Sequence, residues 1–318
     1  MKKISLIGAG NIGTILAYSI SRKKLGNIVL VDVLDGLAKG KCLDLSQSLS
    51  LDNISADIEG TTDLAKIKQS DVIIITAGIA RKPGMSRDDL IETNLSIIVS
   101  IGKAIKRYSK NSFVICITNP LDAMVWSLIK SSGLPKNMVI GMAGVLDTAR
   151  FKLFLSQTLN VSMDCIQTMV LGGHGDTMVP LLDYTSISGI PLNKYLKINN
   201  INPKKIDSII HRTRNGGGEI VSLLKSSSAF FAPAASAIQM LESFLFNKKL
   251  LLPCSAFLSG EYGFKNICVG VPVLITKNGV ERIIELDLDK YEIKEFKKSV
   301  SAVQVLTEKC KKLLVKIN

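Results

Sequence analysis

Three glycines near the amino terminus, Gly8, Gly10 and Gly13, restrict the fold of this chain more than any other feature. They follow a four-residue apolar run at 4–7 and open a stretch that carries Ile15, Leu16 and Ile20 at helical spacing. In a strand that turns through Gly-x-Gly-x-x-Gly into a helix, the first glycine makes the tight turn. The second lets a ligand's phosphates approach bare backbone, and the third lets helix and strand pack closely. The new helix, with Asn11 and Ile12 in its first turn, offers free N–H groups and positive dipole to a pyrophosphate. The pattern alone is a weak signal. Here a second apolar run at 28–31 ends on Asp32, nineteen residues past Gly13. An acidic side chain there binds ribose hydroxyls and repels a 2′-phosphate, so the expected cofactor is NAD rather than NADP.

The rest of the first half repeats the same rhythm. Apolar runs at 72–76, 113–118 and 138–140 alternate with helical stretches at 37–49 and 89–108. Near-continuous apolar strands between helices predict a parallel sheet covered on both faces. Beyond about residue 145 the order changes to a helix at 146–159, a short β run at 168–171, and helices at 206–211, 218–224 and 232–244. Strands at 267–273 and 280–285 and an amphipathic helix at 289–317 follow. The expected fold is an α/β, Rossmann-type doubly wound parallel sheet over residues 1–144, then a mixed α+β substrate domain over 145–318, with the site between them.

Composition removes several classes. None of the apolar runs reaches the ~20 residues that cross a bilayer, so no membrane partner is expected. The net charge of +13 comes from lysines spread along the whole chain. Without a basic helix or a basic stripe interleaved with aromatics, no nucleic-acid partner is expected; a positive field instead gathers small anions. Six cysteines lie far apart among apolar neighbours, with no CxxC and no zinc spacing, and read as buried free thiols. A core-like strand two lysines into the chain leaves no stretch that reads as a signal peptide, and a reducing cytoplasm is expected.

The chemistry centres on Gly172-Gly173-His174-Gly175-Asp176, which holds one of only two histidines. Asp176 is poorly placed to grip the ring from two residues away. Asp147 is better placed, and Arg150 stands i, i+3 from it, so one helix can present a carboxylate to imidazole and a guanidinium to a substrate carboxylate. An Asp-held histidine has a raised pKa and a fixed tautomer, which suits proton exchange near neutral pH. His211 reads as a helix-surface residue. Arg81 and Arg87 lie six apart in a polar Pro-Gly segment beyond the 72–76 strand, where ligand loops sit in open parallel sheets. Asn119, in Thr118-Asn119-Pro120, ends the next strand and either offers an amide to substrate or makes a simple turn.

Taken together, Gly-Ala-Gly-Asn-Ile-Gly (8–13), Asp32, Arg-Lys-Pro-Gly-Met-Ser-Arg (81–87) and Thr-Asn-Pro (118–120) resemble the lactate and malate dehydrogenase family. Gly-Met-Ala-Gly-Val-Leu-Asp-x-x-Arg (141–150), Gly-Gly-His-Gly-Asp (172–176) and Ala-Pro-Ala-Ala-Ser (232–236) extend the resemblance over nearly the whole length. It is most similar to the malate dehydrogenases of the lactate-dehydrogenase-like type. The resemblance implies His174 as acid/base oriented by Asp147, Arg150 on the substrate C1 carboxylate, and Arg87 polarising the ketone as its loop closes. It also implies Asn119 as a positioning group, with Thr76, Ala77, Gly78, Asn94 and Ile117 completing the cofactor site. No metal is required in such a site.

Position 81 bears on the substrate. Relatives acting on lactate typically carry glutamine there and those acting on malate carry arginine. Enclosing the second carboxylate of oxaloacetate unpaired costs several kcal/mol, and an arginine facing the methyl of pyruvate would itself lack a partner. The implied substrates are (S)-malate and oxaloacetate, with L-lactate dehydrogenase as the alternative, in a homodimer or homotetramer. Two local departures, Ser226-Ser227-Ser228-Ala229 and Asn199-Asn200-Ile201-Asn202, are expected to affect loop geometry rather than the reaction.

Overall fold

A computed structural model of the chain describes residues 1–79 and 87–317, the side chains of 87–89 and 317 excepted. The amino-terminal elements are β1 (Lys3–Ile7), α1 (Asn11–Arg22), β2 (Asn27–Val31), α2 (Leu37–Leu51), β3 (Ile58–Thr61), β4 (Val72–Ile75), α3 (Arg87–Tyr108), β5 (Phe113–Cys116), α4 (Leu121–Ser132) and β6 (Val139–Gly141). Next come α5 (Gly144–Leu159) and five two-residue strands: β7 (Ile166–Gln167), β8 (Val170–Leu171), β9 (Val179–Pro180), β10 (Ser186–Ile187) and β11 (Ile190–Pro191). The chain finishes with α6 (Leu192–Ile198), α7 (Lys204–Leu224), α8 (Phe231–Leu245), β12 (Leu250–Ser259), β13 (Lys265–Thr276), β14 (Gly279–Ile283) and α9 (Lys290–Ile317).

The first six strands are parallel and ordered β3-β2-β1-β4-β5-β6. This is the doubly wound order, whose direction reverses between β1 and β4 and leaves a crevice at the strands' carboxyl ends. Both faces are buried, and alternate residues of each strand serve opposite cores. Ile4, Leu6, Val72, Ile74, Phe113 and Ile115 enter one core, while Ile7, Ile73, Ile75, Val114 and Cys116 enter the other. That is why the strands read as unbroken apolar runs.

The short strands β7, β10 and β11 form a three-stranded antiparallel sheet and β8 and β9 a two-stranded one, but the long strands that follow join the first sheet. β12 pairs antiparallel with β6, and β13 and β14 follow, giving nine strands in one sheet. The larger core accordingly mixes Ile140, Met142 and Val145 with Ala237, Leu241, Cys254 and Val269. A third core of Phe151, Leu155, Ile166, Met178, Ile187 and Ile209 lies under α5, α6 and α7.

Three expectations need correction. β3 and β12 are not among the expected strands: β3 is a partly exposed edge strand, and in β12 Pro253, a residue that argues against a strand, interrupts the apolar run. In β12 the proline stands directly opposite Pro272 of β13. The helical stretches at 206–211 and 218–224 form one helix, α7, which continues through Gly216, Gly217 and Gly218. Each glycine costs about 1 kcal/mol in a helix interior; a Cβ on Gly216 would press on Arg150, 3.2 Å from its Cδ, whereas one on Gly218 would meet nothing within 4 Å. The thiols follow expectation: Cys165 is half-buried and the other five cysteines are buried. No helix among the described residues is long and apolar enough to cross a membrane.

Candidate active site

The β1–α1 turn is shaped by what its glycines exclude. Gly8 adopts φ +113°, and a Cβ there would lie 2.6 Å from Thr76 Oγ1 and 2.7 Å from the Ala77 nitrogen. A Cβ on Gly13 would fall 1.9 Å from the Gly8 carbonyl oxygen. A Cβ on Gly10 meets nothing within 4 Å, so the turn is open beside the first amides of α1. Gly10 caps that helix without a side-chain hydrogen bond, which leaves the Asn11 and Ile12 amides to a ligand. The cradle therefore fits a pyrophosphate.

Asp32 follows β2 with both oxygens engaged. The Ala9 N–H donates to Oδ2 at 2.7 Å and the Leu34 N–H to Oδ1 at 3.0 Å, and each oxygen keeps a further lone pair. Lys41 of α2, which the sequence reading does not pick out, donates to the Ala9 carbonyl at 2.6 Å and the Thr14 hydroxyl at 3.0 Å. Opposite charges thus hold the N–H and C=O of one turn residue. Thr76 donates to the Gly8 carbonyl at 3.0 Å, tying the end of β4 to the same turn.

Gly78, at φ +154°, leaves no room for a Cβ, which would come within 2.6 Å of Thr118 Cγ2. Asn94 of α3 is 1% exposed and spends its amide on backbone. It accepts from the Ile79 N–H at 2.9 Å and donates to the Asn119 carbonyl at 2.7 Å. Asn94 therefore braces the segments after β4 and β5 from behind, whereas Ile117 and Asn119 line the cleft itself.

The cleft, a cavity of about 290 Å³, brings Ile12, Asn119, Arg150 and His174 together with residues of α7 and α8. His174 sits on the loop between β8 and β9, and its Nδ1 lies 2.9 Å from Asp147 Oδ2. The other Asp147 oxygen accepts from Arg150 Nη1 at 3.3 Å. Asp147 is 2% exposed, so the pair is shielded from water. Burial pulls the His174 pKa down; the Asp147 charge and hydrogen bond outweigh it and leave the imidazole above its ordinary 6.5. With Nδ1–H donated to a carboxylate, the neutral ring keeps its lone pair on Nε2. A proton can then be exchanged at Nε2 beside a guanidinium that binds carboxylate.

The loop itself is anchored from far along the chain. Gly173 N–H donates to Ser299 Oγ of α9 at 2.8 Å, and His174 N–H donates to Asp122 Oδ2 of α4 at 3.0 Å. Gly172 exchanges backbone hydrogen bonds of 2.9 and 3.1 Å with Gly270 of β13. His211 is exposed on α7, away from this constellation.

Residues 2–141 match the NAD-binding domain of lactate/malate dehydrogenases, and residues 144–314 match their alpha/beta C-terminal domain. The chain belongs to the lactate/malate dehydrogenase family. Among solved structures, Cryptosporidium parvum malate dehydrogenase is 45% identical, with a TM-score of 0.95 over 98% of this chain and 99% of that one. Picrophilus torridus malate dehydrogenase in its apo form is 43% identical, with a TM-score of 0.95 over 100% and 99%. Cryptosporidium parvum lactate dehydrogenase, complexed with lactic acid and nicotinamide adenine dinucleotide, is 44% identical, with a TM-score of 0.94 over 98% of both chains. As a member of this family the chain is an NAD-dependent oxidoreductase.

Within this dehydrogenase, Arg81 and the rest of the 80–86 loop, and the side chain of Arg87, lie outside the described residues. The sequence reading passes over Asp122, Lys41 and the cleft-lining Met142, Met178, Arg214, Gly217 and Val221. The Gly216-Gly217-Gly218 run was the available signal, since glycines inside a helix mark a close approach. Ser228 and Ala229 also line the cleft, so the departure at 226–229 bears on the site and not on loop geometry alone. The acidic trio Asp183, Asp289 and Glu292 lies outside the cleft lining, and Asp289 and Glu292 cap each other's amides.

Proposed function

We propose that this dehydrogenase is a malate dehydrogenase that interconverts (S)-malate and oxaloacetate with NAD. The observation that carries the substrate assignment is the arginine at position 81 of the sequence. The reacting end is supported by the Asp147–His174–Arg150 constellation in the cleft. Bound NAD supplies the hydride acceptor. Nε2 of His174 takes the C2 hydroxyl proton as the ketone forms, and Asp147 stabilises the imidazolium. Arg150 grips the C1 carboxylate in a two-pronged contact, a geometry lysine does not offer. Arg87 polarises the ketone oxygen, Arg81 pairs the second carboxylate, and Asn119 orients the substrate once the 80–88 loop excludes water.

A charge-assisted pair at Arg81 is worth about 1.5–3 kcal/mol, roughly one to two decades in kcat/KM. Steady-state kinetics with NADH against oxaloacetate and pyruvate test the assignment, together with Arg81→Gln. We expect a preference for oxaloacetate that shifts toward pyruvate by that amount in the variant. A lactate dehydrogenase is the second reading, favoured by the 44% identity to the Cryptosporidium lactate dehydrogenase. A wild-type preference for pyruvate would establish it. The proposal includes NAD over NADP through Asp32, a division near residue 144, a cytoplasmic setting and a homodimer or homotetramer. Light scattering on the purified protein should give two or four times 34.5 kDa.

A further inference from the structure

We propose that Asp122 is a positioning residue for the acid/base: its carboxylate holds the main chain of His174 from behind and adds a second negative charge to that of Asp147. The inference rests on His174 being the acid/base. Asp122 is the second residue of α4 and is 5% exposed. Each oxygen has its own donor, His174 N–H on Oδ2 at 3.0 Å and Ser255 Oγ–H of β12 on Oδ1 at 2.6 Å. A Cβ on Gly173 would collide with Val303 Cγ2 at 2.5 Å, while Asp122 Oδ2 would stand at an ordinary 3.5 Å. A carboxylate receiving a donor on each oxygen is arranged for its ionised, acceptor-only form. Burial, joined by the Asp147 charge, outweighs both donors and His174 and leaves the Asp122 pKa above its ordinary carboxylate value.

The charged neighbours are few. Asp147 and Arg150 face the imidazole from α5, and Asp176 of the same loop and Arg214 of α7 line the cleft. The Cys268 thiol of β13 is pushed well above its ordinary range by burial and, second, by the Asp122 charge. Asp147 and Asp122 are the anions whose field supports the imidazolium. A bland role also exists: an aspartate in the first turn of a helix stabilises the dipole. That role affects melting temperature but not the pH dependence of turnover.

Asp122→Asn keeps an oxygen for the His174 N–H and removes the charge. In the full-length protein with NADH and oxaloacetate, we expect unchanged NADH binding and a kcat about tenfold lower at neutral pH. The apparent pKa limiting reduction should fall by about half a unit to one unit. Ser255→Ala, which deletes one donor without touching the loop, should shift both in the same direction by less, and it decides the question if the asparagine variant does not fold. His174→Asn is the control. If it is inactive while both other variants keep the wild-type pH profile and kcat, the proposal is wrong and the acid/base assignment stands. If His174→Asn stays active, the assignment itself fails and takes the proposal with it.

Discussion

Two glycine-rich turns meet at the cleft, and their glycines are there for different reasons. In the 8–13 turn the neighbours that forbid a Cβ are the turn itself and the end of the adjoining strand β4. In the 172–174 loop the neighbours come from α9. A Cβ on Gly172 would lie 2.7 Å from Ser299 Oγ, and one on Gly173 would lie 2.5 Å from Val303 Cγ2. The first turn is a local device that works wherever a strand feeds a helix. The second is a junction whose shape depends on four distant elements arriving together. A motif of the first kind can be recognised by its spacing, whereas one of the second kind is understood only after folding.

That contrast can be broken by mutation. The largest effect is expected from His174→Asn, which should lower kcat about 10²–10⁴-fold while NADH binding, measured by fluorescence, stays intact. Loss of NADH affinity of similar size would show that the two turns are not separable. Next, Gly13→Ala should weaken NADH binding and lower the melting temperature, because its Cβ would fall 1.9 Å from a backbone oxygen. Gly10→Ala should weaken NADH binding alone, its Cβ being free of contacts in the protein. Equal thermal losses would contradict the division of labour within the turn.

Gly173→Ala should cost about 1–3 kcal/mol by overpacking against Val303, and Val303→Ala should recover part of it in a double-mutant cycle. Two independent, additive losses would mean that α9 does not set the loop. pH supplies a gentler probe. Because His174 is held above 6.5, reduction of the keto acid should persist above that pH and fall as pH rises through the raised pKa. The stability contributed by the His174–Asp147 pair has the same sign: it is fully present below 6.5 and lost as pH passes the folded value. A rate that instead rises with pH would assign the proton to another group. Smallest is thiol reactivity. Burial pushes Cys116 up to about 12 and Cys42 up to about 11, so half-buried Cys165 should be the first alkylated in the native protein.

Much of the cofactor half was legible in advance. The strand ends, the glycine roles and Asp32 all follow from neighbours close in sequence, and burial on both faces forced the apolar runs. The pairing of His174 with Asp147 was readable for a chemical reason, since a glycine-rich loop has little packing use for imidazole and the Asp147–Arg150 spacing fixes a shared helix face. Lys41 and Asp122 were not readable. A lysine on a helix and an aspartate in a helix's first turn look like ordinary surface residues until tertiary packing brings them against distant backbone groups. The single helix through Gly216–Gly218 was hidden likewise, because propensity argues for a break and only the close approach of Arg150 gives a reason for the first of those glycines.

The amino-acid order by itself determined the doubly wound sheet, the open cradle at Gly10 and the histidine proposed to exchange the proton, since those depend on periodicity and short-range sterics. Tertiary structure alone decided that β12, β13 and β14 extend the first sheet, and that α4, β12 and α9 converge behind the histidine loop. Those outcomes depend on which buried surfaces and unsatisfied backbone groups find one another across more than a hundred residues, and no local pattern encodes such a meeting.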